Sequence, residues 1–323
     1  MEPLAIWTNQ KLDPASADLM RRLTAPHRVI EARATSASNL VAGSRDPAAL
    51  DAEVLHGQPS VEDILESTKV RFIQLSSAGY TRYDRPDLLD NLKSRGIAFC
   101  NASSLYSEPC AQHALAMLLS IARAIPQAVR EQADAHWNYL SLRGQSFLLH
   151  GQKVVIAGYG AIPRRLVELL APYSLDITAF RRTVRGDETV RTLPISEIDD
   201  HLPHANIVFN ILPAATSTNR FFDRDRLMKF KPGAIYLNIG RGDTNDQDAL
   251  AELLKSNHLS RVFLDVTSPE PLPKDHALWT IPTCHITPHT AGGTFDESHR
   301  MVEHFASNLG RFARGERLTD QIA

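Results

Sequence analysis

The stretch 153–182, KVVIAGYGAIPRRLVELLAPYSLDITAFRR, limits what this 323-residue chain can fold into more than any other. An apolar run at 154–157 leads into Gly158-Tyr159-Gly160 and then into apolar residues at helical spacing, Ile162, Leu166, Leu169 and Leu170. This reads as strand, tight glycine turn and helix. A second apolar run at 177–180 follows at the distance a crossover helix requires, so the whole is a βαβ unit of the dinucleotide-binding kind. Gly158 permits the turn and Gly160 lets a pyrophosphate approach the backbone. The amides of Ala161 and Ile162, with the positive end of the helix dipole, then face the phosphates. Pro163 replaces the third glycine of the fingerprint, which a first helical turn tolerates because that N–H has no intrahelical partner. After the second strand, where an acid would hold a ribose 2'-hydroxyl, stand Arg181-Arg182-Thr183. Two guanidinium groups suit a 2'-phosphate, so NADP is expected ahead of NAD. The competing readings are a surface helix with stray glycines, and arginines that face solvent or serve an ion pair.

At this length two domains are expected, each with its own core. A hydrophobic content of 43%, a charged content of 22% and a formal charge of -2 describe an ordinary globular chain with no electrostatic footprint for nucleic acid or a membrane surface. Cys100, Cys110 and Cys284 form neither a CxxC pair nor a disulfide framework, which fits a reducing compartment. MEPLAIWTNQ has no signal-peptide pattern, and the apolar stretch 114–125 is too short to span a bilayer; a cytoplasmic protein is expected.

The N-terminal third alternates strand candidates at 4–8, 28–31, 53–55, 72–75 and 98–100 with helix candidates at 15–23, 61–66 and 85–94, an α/β pattern with a parallel sheet. A helical pattern from Ser107 toward Trp137 should break or kink near Pro126. Beyond the βαβ unit, strands are expected at 207–212, 234–239 and 262–266 and one ending at Thr287, with helices at 247–254 and 297–314. Two sheets of this kind would place an active site in the cleft between them.

Four polar residues sit at or just beyond strands of the second sheet, where the ligand crevice of an open parallel sheet lies: Arg241, Asp265, Glu270 and His289. A loop histidine alone is more often a structural hydrogen bonder. Paired with Glu270 in DVTSPEP, His289 in ITPHTAGG can give one ring nitrogen to the carboxylate and keep the other for proton exchange with substrate. Arg241 in NIGRGD brings a permanent charge able to bind a carboxylate and polarise a carbonyl. His285 and His289 are separated by Pro288, and His201 and His204 precede a strand, so no metal site is expected.

GYGAI, NIGRGD, DVTSPEPLP and ITPHTAG, in this order and spacing, resemble the D-isomer-specific 2-hydroxyacid dehydrogenase family over nearly the whole chain. Within that family the chain is most similar to glyoxylate/hydroxypyruvate reductases, through Arg181-Arg182 and DVTSPEPLP. The resemblance implies two doubly wound parallel-sheet domains, a Rossmann cofactor domain at 104–291 inserted in a flavodoxin-like substrate domain at 1–103 and 292–323. It implies that Arg241 binds and polarises a 2-oxoacid, that His289 is the acid/base and that Glu270 orients it. Asp265 would hold the nicotinamide carboxamide, and backbone amides around Ser77, Ala78 and Gly79 the substrate carboxylate. Gly158, Gly160, Ala161, Ile162, Arg181, Arg182, Leu212, Pro213, Ile239 and Gly292 would complete the cofactor site. A homodimer is implied, with 120–144 reaching the partner and Trp137 entering its cleft. Pro163 and Ala161 depart from the family pattern, the latter lacking a side-chain donor some relatives have beside the pyrophosphate. Glu270 argues against formate dehydrogenase, where glutamine is expected, and the short tail leaves no room for the regulatory domain of many phosphoglycerate dehydrogenases. The expected activity is reduction of glyoxylate or hydroxypyruvate. The rivals are a dehydrogenase for D-lactate, phosphoglycerate or phosphite, and a non-catalytic dinucleotide-sensing scaffold.

Overall fold

The computed structural model describes residues 2–323 apart from 37, 40 and 42. The chain forms two compact units, Met1–Tyr106 with Thr294–Ala323, and Ser107–Gly293. The first holds a five-stranded parallel sheet: β1 (Ala5–Gln10), β2 (Arg28–Ser36), β3 (Val54–Gly57), β4 (Phe72–Leu75) and β5 (Ala98–Cys100), in the order β2-β1-β3-β4-β5. Strand residues alternate between two cores, as the pleat demands. Trp7, Leu55, Ile73 and Phe99 face one side. Ile6, Val54 and Phe72 face the other, where Phe305 of the closing helix Glu297–Ala313 covers them.

The second unit holds seven parallel strands: β6 (Lys153–Ala157), β7 (Asp176–Arg181), β8 (Arg191–Pro194), β9 (Ile207–Asn210), β10 (Ala234–Asn238), β11 (Leu259–Leu264) and β12 (Cys284–Ile286). Their order is β12-β11-β10-β9-β6-β7-β8. The chain winds outward from β6 through β7 and β8, then returns to β9 and winds the other way. The switch between β6 and β9 opens the crevice in which an open α/β sheet binds its ligand. Both sheets are doubly wound, the first in the flavodoxin-like order and the second in the Rossmann order with one added strand.

Several elements differ from the sequence expectation. The long helix begins at Ser103 and ends at Ala122, and the break falls at Ala124, whose φ of 54° leaves the helical region. The break thus falls near Pro126, as expected, and Pro126 itself stands in the first turn of the next helix, Ile125–Ala133, where its missing N–H costs nothing. Helix Tyr139–Gln145 and edge strand β8 carry no apolar run and escape a periodicity reading. Among the described residues no helix is long and apolar enough to cross a membrane.

Candidate active site

In the second unit, glycines let the loops at the carboxyl ends of β6, β9, β10 and β11 stack closely. Gly158 has a φ of 101°, and a Cβ there would lie 2.7 Å from the Ile211 carbonyl oxygen. A Cβ on Gly240 would lie 2.5 Å from the Leu212 carbonyl oxygen, and one on Gly242 2.0 Å from that of Thr267. Gly160 differs: a Cβ there meets nothing within 4 Å. Gly160 caps helix Ala161–Leu170 without a side-chain bond, so the first amides of the helix stay open to an anion. Pro163 is buried in that first turn. Gly158 is thus crowded by the neighbouring loop, while Gly160 leaves open space in front of the helix N-terminus.

His289 Nδ1 lies 2.7 Å from Glu270 Oε2, and Glu270 Oε1 accepts the Thr267 amide at 3.1 Å. Burial pushes the Glu270 carboxyl up, but the His289 hydrogen bond and charge, the Thr267 amide and the charge of Arg241 outweigh it and hold the group below the usual carboxylate range. His289 sits at a φ of 54°, a left-handed conformation costly for a residue with a Cβ. Its amide donates to the Asp265 carbonyl at 2.8 Å, which fixes that conformation. Arg241 donates to the Gly240 carbonyl at 2.7 Å and makes no ion pair among the described residues. A half-buried guanidinium that acts on Glu270 only through its charge and makes no direct ion pair keeps its donors for an anionic ligand.

Asp265 shapes the loop that carries the histidine. Its carboxylate, 2% exposed, accepts the Thr287 hydroxyl (2.6 Å) and the amides of Thr290 (2.9 Å) and Ala291 (3.0 Å). His113 Nε2 lies 3.0 Å from the same Thr287 hydroxyl. Most of the lone pairs of Asp265 are thus committed within the protein.

A buried asparagine network, absent from the sequence reading, sets the position of Arg241. Asn210 and Asn238, at the ends of β9 and β10, are fully buried. Asn210 Oδ1 accepts the Leu212 amide (3.2 Å) and Asn238 Oδ1 the Gly240 amide (2.9 Å). Asn238 Nδ2 and the Thr244 hydroxyl donate to the Arg241 carbonyl at 3.0 and 2.6 Å. Asn210 Nδ2 closes the network on Tyr236 (2.8 Å) and Thr244 (2.7 Å). The signal available in the sequence was an asparagine closing each of two apolar strands, one residue or two ahead of a predicted ligand contact. Leu212 and Ile239 are buried beside this network, Pro213 is exposed, and Gly292 follows the buried Ala291.

In the first unit, all four carbonyls of segment 76–79 accept a hydrogen bond: Ser76 from the Tyr106 hydroxyl (2.9 Å), Ser77 from the Ala102 amide (3.0 Å), Ala78 from Asn101 Nδ2 (2.7 Å) and Gly79 from the Ser77 hydroxyl (2.7 Å). The amides of Ser77, Ala78 and Gly79 are bonded to nothing among the described residues. With their carbonyls held, these residues keep the backbone amides as the donors still available in the turn. Gln58 steadies it, donating to the hydroxyls of Ser76 (3.0 Å) and Ser77 (3.1 Å).

At the end of β7 the two arginines part company. Arg181 pairs with Glu188 at 2.7 Å, with Asp187 at 3.8 Å. Arg182 is exposed and has no partner among the described residues.

A Rossmann sheet with an open glycine turn, a histidine–glutamate pair and an uncompensated arginine at one sheet edge defines a nicotinamide-dependent dehydrogenase. The chain belongs to the D-isomer specific 2-hydroxyacid dehydrogenase family, whose NAD binding domain profile matches residues 115–291. It is 30% identical to human glyoxylate reductase/hydroxypyruvate reductase over 243 residues, 72% of each chain. It is 27% identical to D-3-phosphoglycerate dehydrogenase of Mycobacterium tuberculosis over 279 residues, 86% of this chain but half the length of that relative. Its fold matches the D-isomer specific 2-hydroxyacid dehydrogenase of Xanthobacter autotrophicus Py2, solved with NADPH and MES, at a TM-score of 0.81 and 22% identity, covering 99% of this chain and 98% of that one.

Proposed function

We propose that the protein reduces small 2-oxoacids, glyoxylate or hydroxypyruvate, to D-2-hydroxyacids with NADPH ahead of NADH. The observation that carries the reading is the 2.7 Å pair of His289 and Glu270 on a loop held in strained geometry at the sheet edge that also carries Arg241 and the glycine turn. A bound nicotinamide supplies the hydride to C2 of the substrate. Arg241 draws electron density toward the C2 oxygen and lowers the cost of the charge that develops there. Nδ1 of His289 stays on Glu270, and Nε2 gives its proton to that oxygen; in oxidation the same nitrogen takes the proton back. The amides of Ser77, Ala78 and Gly79 are the proposed holders of the substrate carboxylate. Leu212, Pro213, Ile239 and Gly292 would line a bound dinucleotide, and Asp265 would hold its carboxamide.

The 2'-phosphate of NADP is assigned to Arg182. One charge-assisted hydrogen bond of this kind is worth about 1.5–3 kcal/mol, tenfold or more in affinity. NADPH and NADH oxidation across a panel including glyoxylate, hydroxypyruvate, pyruvate and phosphohydroxypyruvate tests the substrate. Turnover of none of them, with dinucleotide still bound, returns the case to a sensing scaffold. Arg182→Ala should bring the NADPH and NADH Michaelis constants within about twofold of each other. A second copy of the chain is the proposed partner. Val129, Trp137, Tyr139 and Leu140 are 59%, 91%, 53% and 77% exposed on one stretch, a cluster of apolar side chains that monomers rarely leave in water. Sedimentation at assay concentration decides between monomer and dimer.

A further inference from the structure

The loop 184–190 between β7 and β8 is clasped to the glycine turn. Thr189 Oγ1 lies 2.9 Å from the Tyr159 hydroxyl, and the Thr189 amide donates to that hydroxyl at 3.3 Å. Arg164, from the first turn of the following helix, donates to the Asp187 carbonyl at 3.0 Å and pairs with its carboxylate at 2.9 Å, with its guanidinium 5.1 Å above the Tyr159 ring. The clasp buries one carboxylate. Glu188 lies in a surface loop, yet its side chain is only 4% exposed. Its Oε1 is 2.7 Å from Arg181 Nη1 and accepts the Arg185 amide at 2.9 Å, while Oε2 accepts the Gly186 amide at 2.8 Å.

We infer that Glu188 is a positioning residue for cofactor selectivity: by holding the Arg181 guanidinium it withholds that charge from the ribose 2'-phosphate and leaves the phosphate to Arg182. The inference rests on the dinucleotide reading proposed above. A guanidinium already bonded to a covered carboxylate gains little by exchanging one anion for another, and its fork is occupied in part by Glu188. A 2'-phosphate reaching for Arg181 must also approach the carboxylates of Glu188 and Asp187, like charges that oppose it. The Arg185 amide, the Arg181 pair and the Gly186 amide hold the Glu188 carboxyl at about 2, so the opposing charge persists throughout the neutral range. Selectivity for NADP is therefore smaller than two free arginines would give, and it is capped by a residue of the loop rather than by the strand-end pair.

Calorimetric titration of the full chain with NADP+ and NAD+ tests this without requiring turnover. In Glu188→Gln the carboxamide keeps the size of the side chain and loses the charge, so the Kd for NADP+ should fall about tenfold relative to that for NAD+, which should stay within about twofold. Adding Arg181→Met to Glu188→Gln should erase the gain. Equal changes for both dinucleotides, or a gain that survives loss of Arg181, overturn the inference and leave the dinucleotide reading standing; no binding of either dinucleotide to the unaltered chain overturns both. Should Glu188→Gln fail to fold, a crystal structure of the unaltered chain with NADP+ decides: Arg181 still paired with Glu188 supports the assignment, and Arg181 turned onto the 2'-phosphate refutes it.

Discussion

Glu270→Gln removes one charge from the proposed proton-transfer pair while keeping the size of the side chain. In the native pair Oε1 is committed to the Thr267 amide at 3.1 Å and Oε2 faces His289 Nδ1 at 2.7 Å. A glutamine that keeps the Thr267 bond turns its NH2 group toward Nδ1, so the ring must give up its proton there or break the contact. A hydrogen bond to a charged group is worth about 1.5–3 kcal/mol. The Glu270 side chain is 34% exposed, so solvent screening places the loss at the lower end, about 1.5 kcal/mol. That corresponds to roughly a tenfold fall in kcat/KM for 2-oxoacid reduction. The Michaelis constant for NADPH should stay within about twofold, because Glu270 faces the histidine. Initial rates of NADPH oxidation at varied substrate measure both. Activity within twofold of the parent, or a loss confined to cofactor affinity, would refute the orienting role of Glu270.

Replacing His289 with Gln should lower turnover by about 10²- to 10⁴-fold with dinucleotide affinity little changed, and near-normal turnover would end its assignment as acid/base. Gly160→Ala should melt with the parent yet bind either dinucleotide at least about tenfold more weakly, because only a ligand approaches that position; Gly158→Ala should instead lose stability, since its Cβ would lie 2.7 Å from a backbone oxygen at a φ of 101°. Burial, with the charge of His304 adding, lowers His56 from 6.5 to about 3. The unfolded chain then binds a proton below about 6.5 that the folded chain refuses, so stability is full above that pH and declines toward 3. Melting curves across this window should show the decline in the parent and a shallower one in His56→Gln; matching slopes would mean that other groups carry it.

Apolar runs made most of the architecture legible, because a strand buried on both faces needs an unbroken run and a crossover helix needs apolar residues at helical spacing. β8 escaped for the converse reason: Arg191–Pro194 is an edge strand, half-solvated and closed by proline. The candidate site residues stand out in the sequence as motifs, but the bonds they make do not. Arg181 and Arg182 are equivalent on paper; in the fold, strand alternation turns the first toward Glu188, seven residues on, and the second toward solvent. Nothing in the period of the sequence reports a bond formed by a loop folding back.

The asparagines mark a different limit. A buried amide side chain costs stability unless its donors and acceptors are met, so Asn210 and Asn238 persist at 0% exposure only because each bonds the backbone of the loop that follows it. Those bonds act on the same loops that the glycines bring into contact. The glycines allow close approach, and the asparagines then fix the register, so the Arg241 carbonyl is held by two donors while its guanidinium keeps no carboxylate. Precision at the arginine therefore originates in neutral, fully buried side chains, which leaves its charge uncompensated for a substrate. An aspartate in place of Asn238 would still accept the Gly240 amide but could not donate to the Arg241 carbonyl, and it would bring a negative charge to the loop whose guanidinium the site needs to keep free.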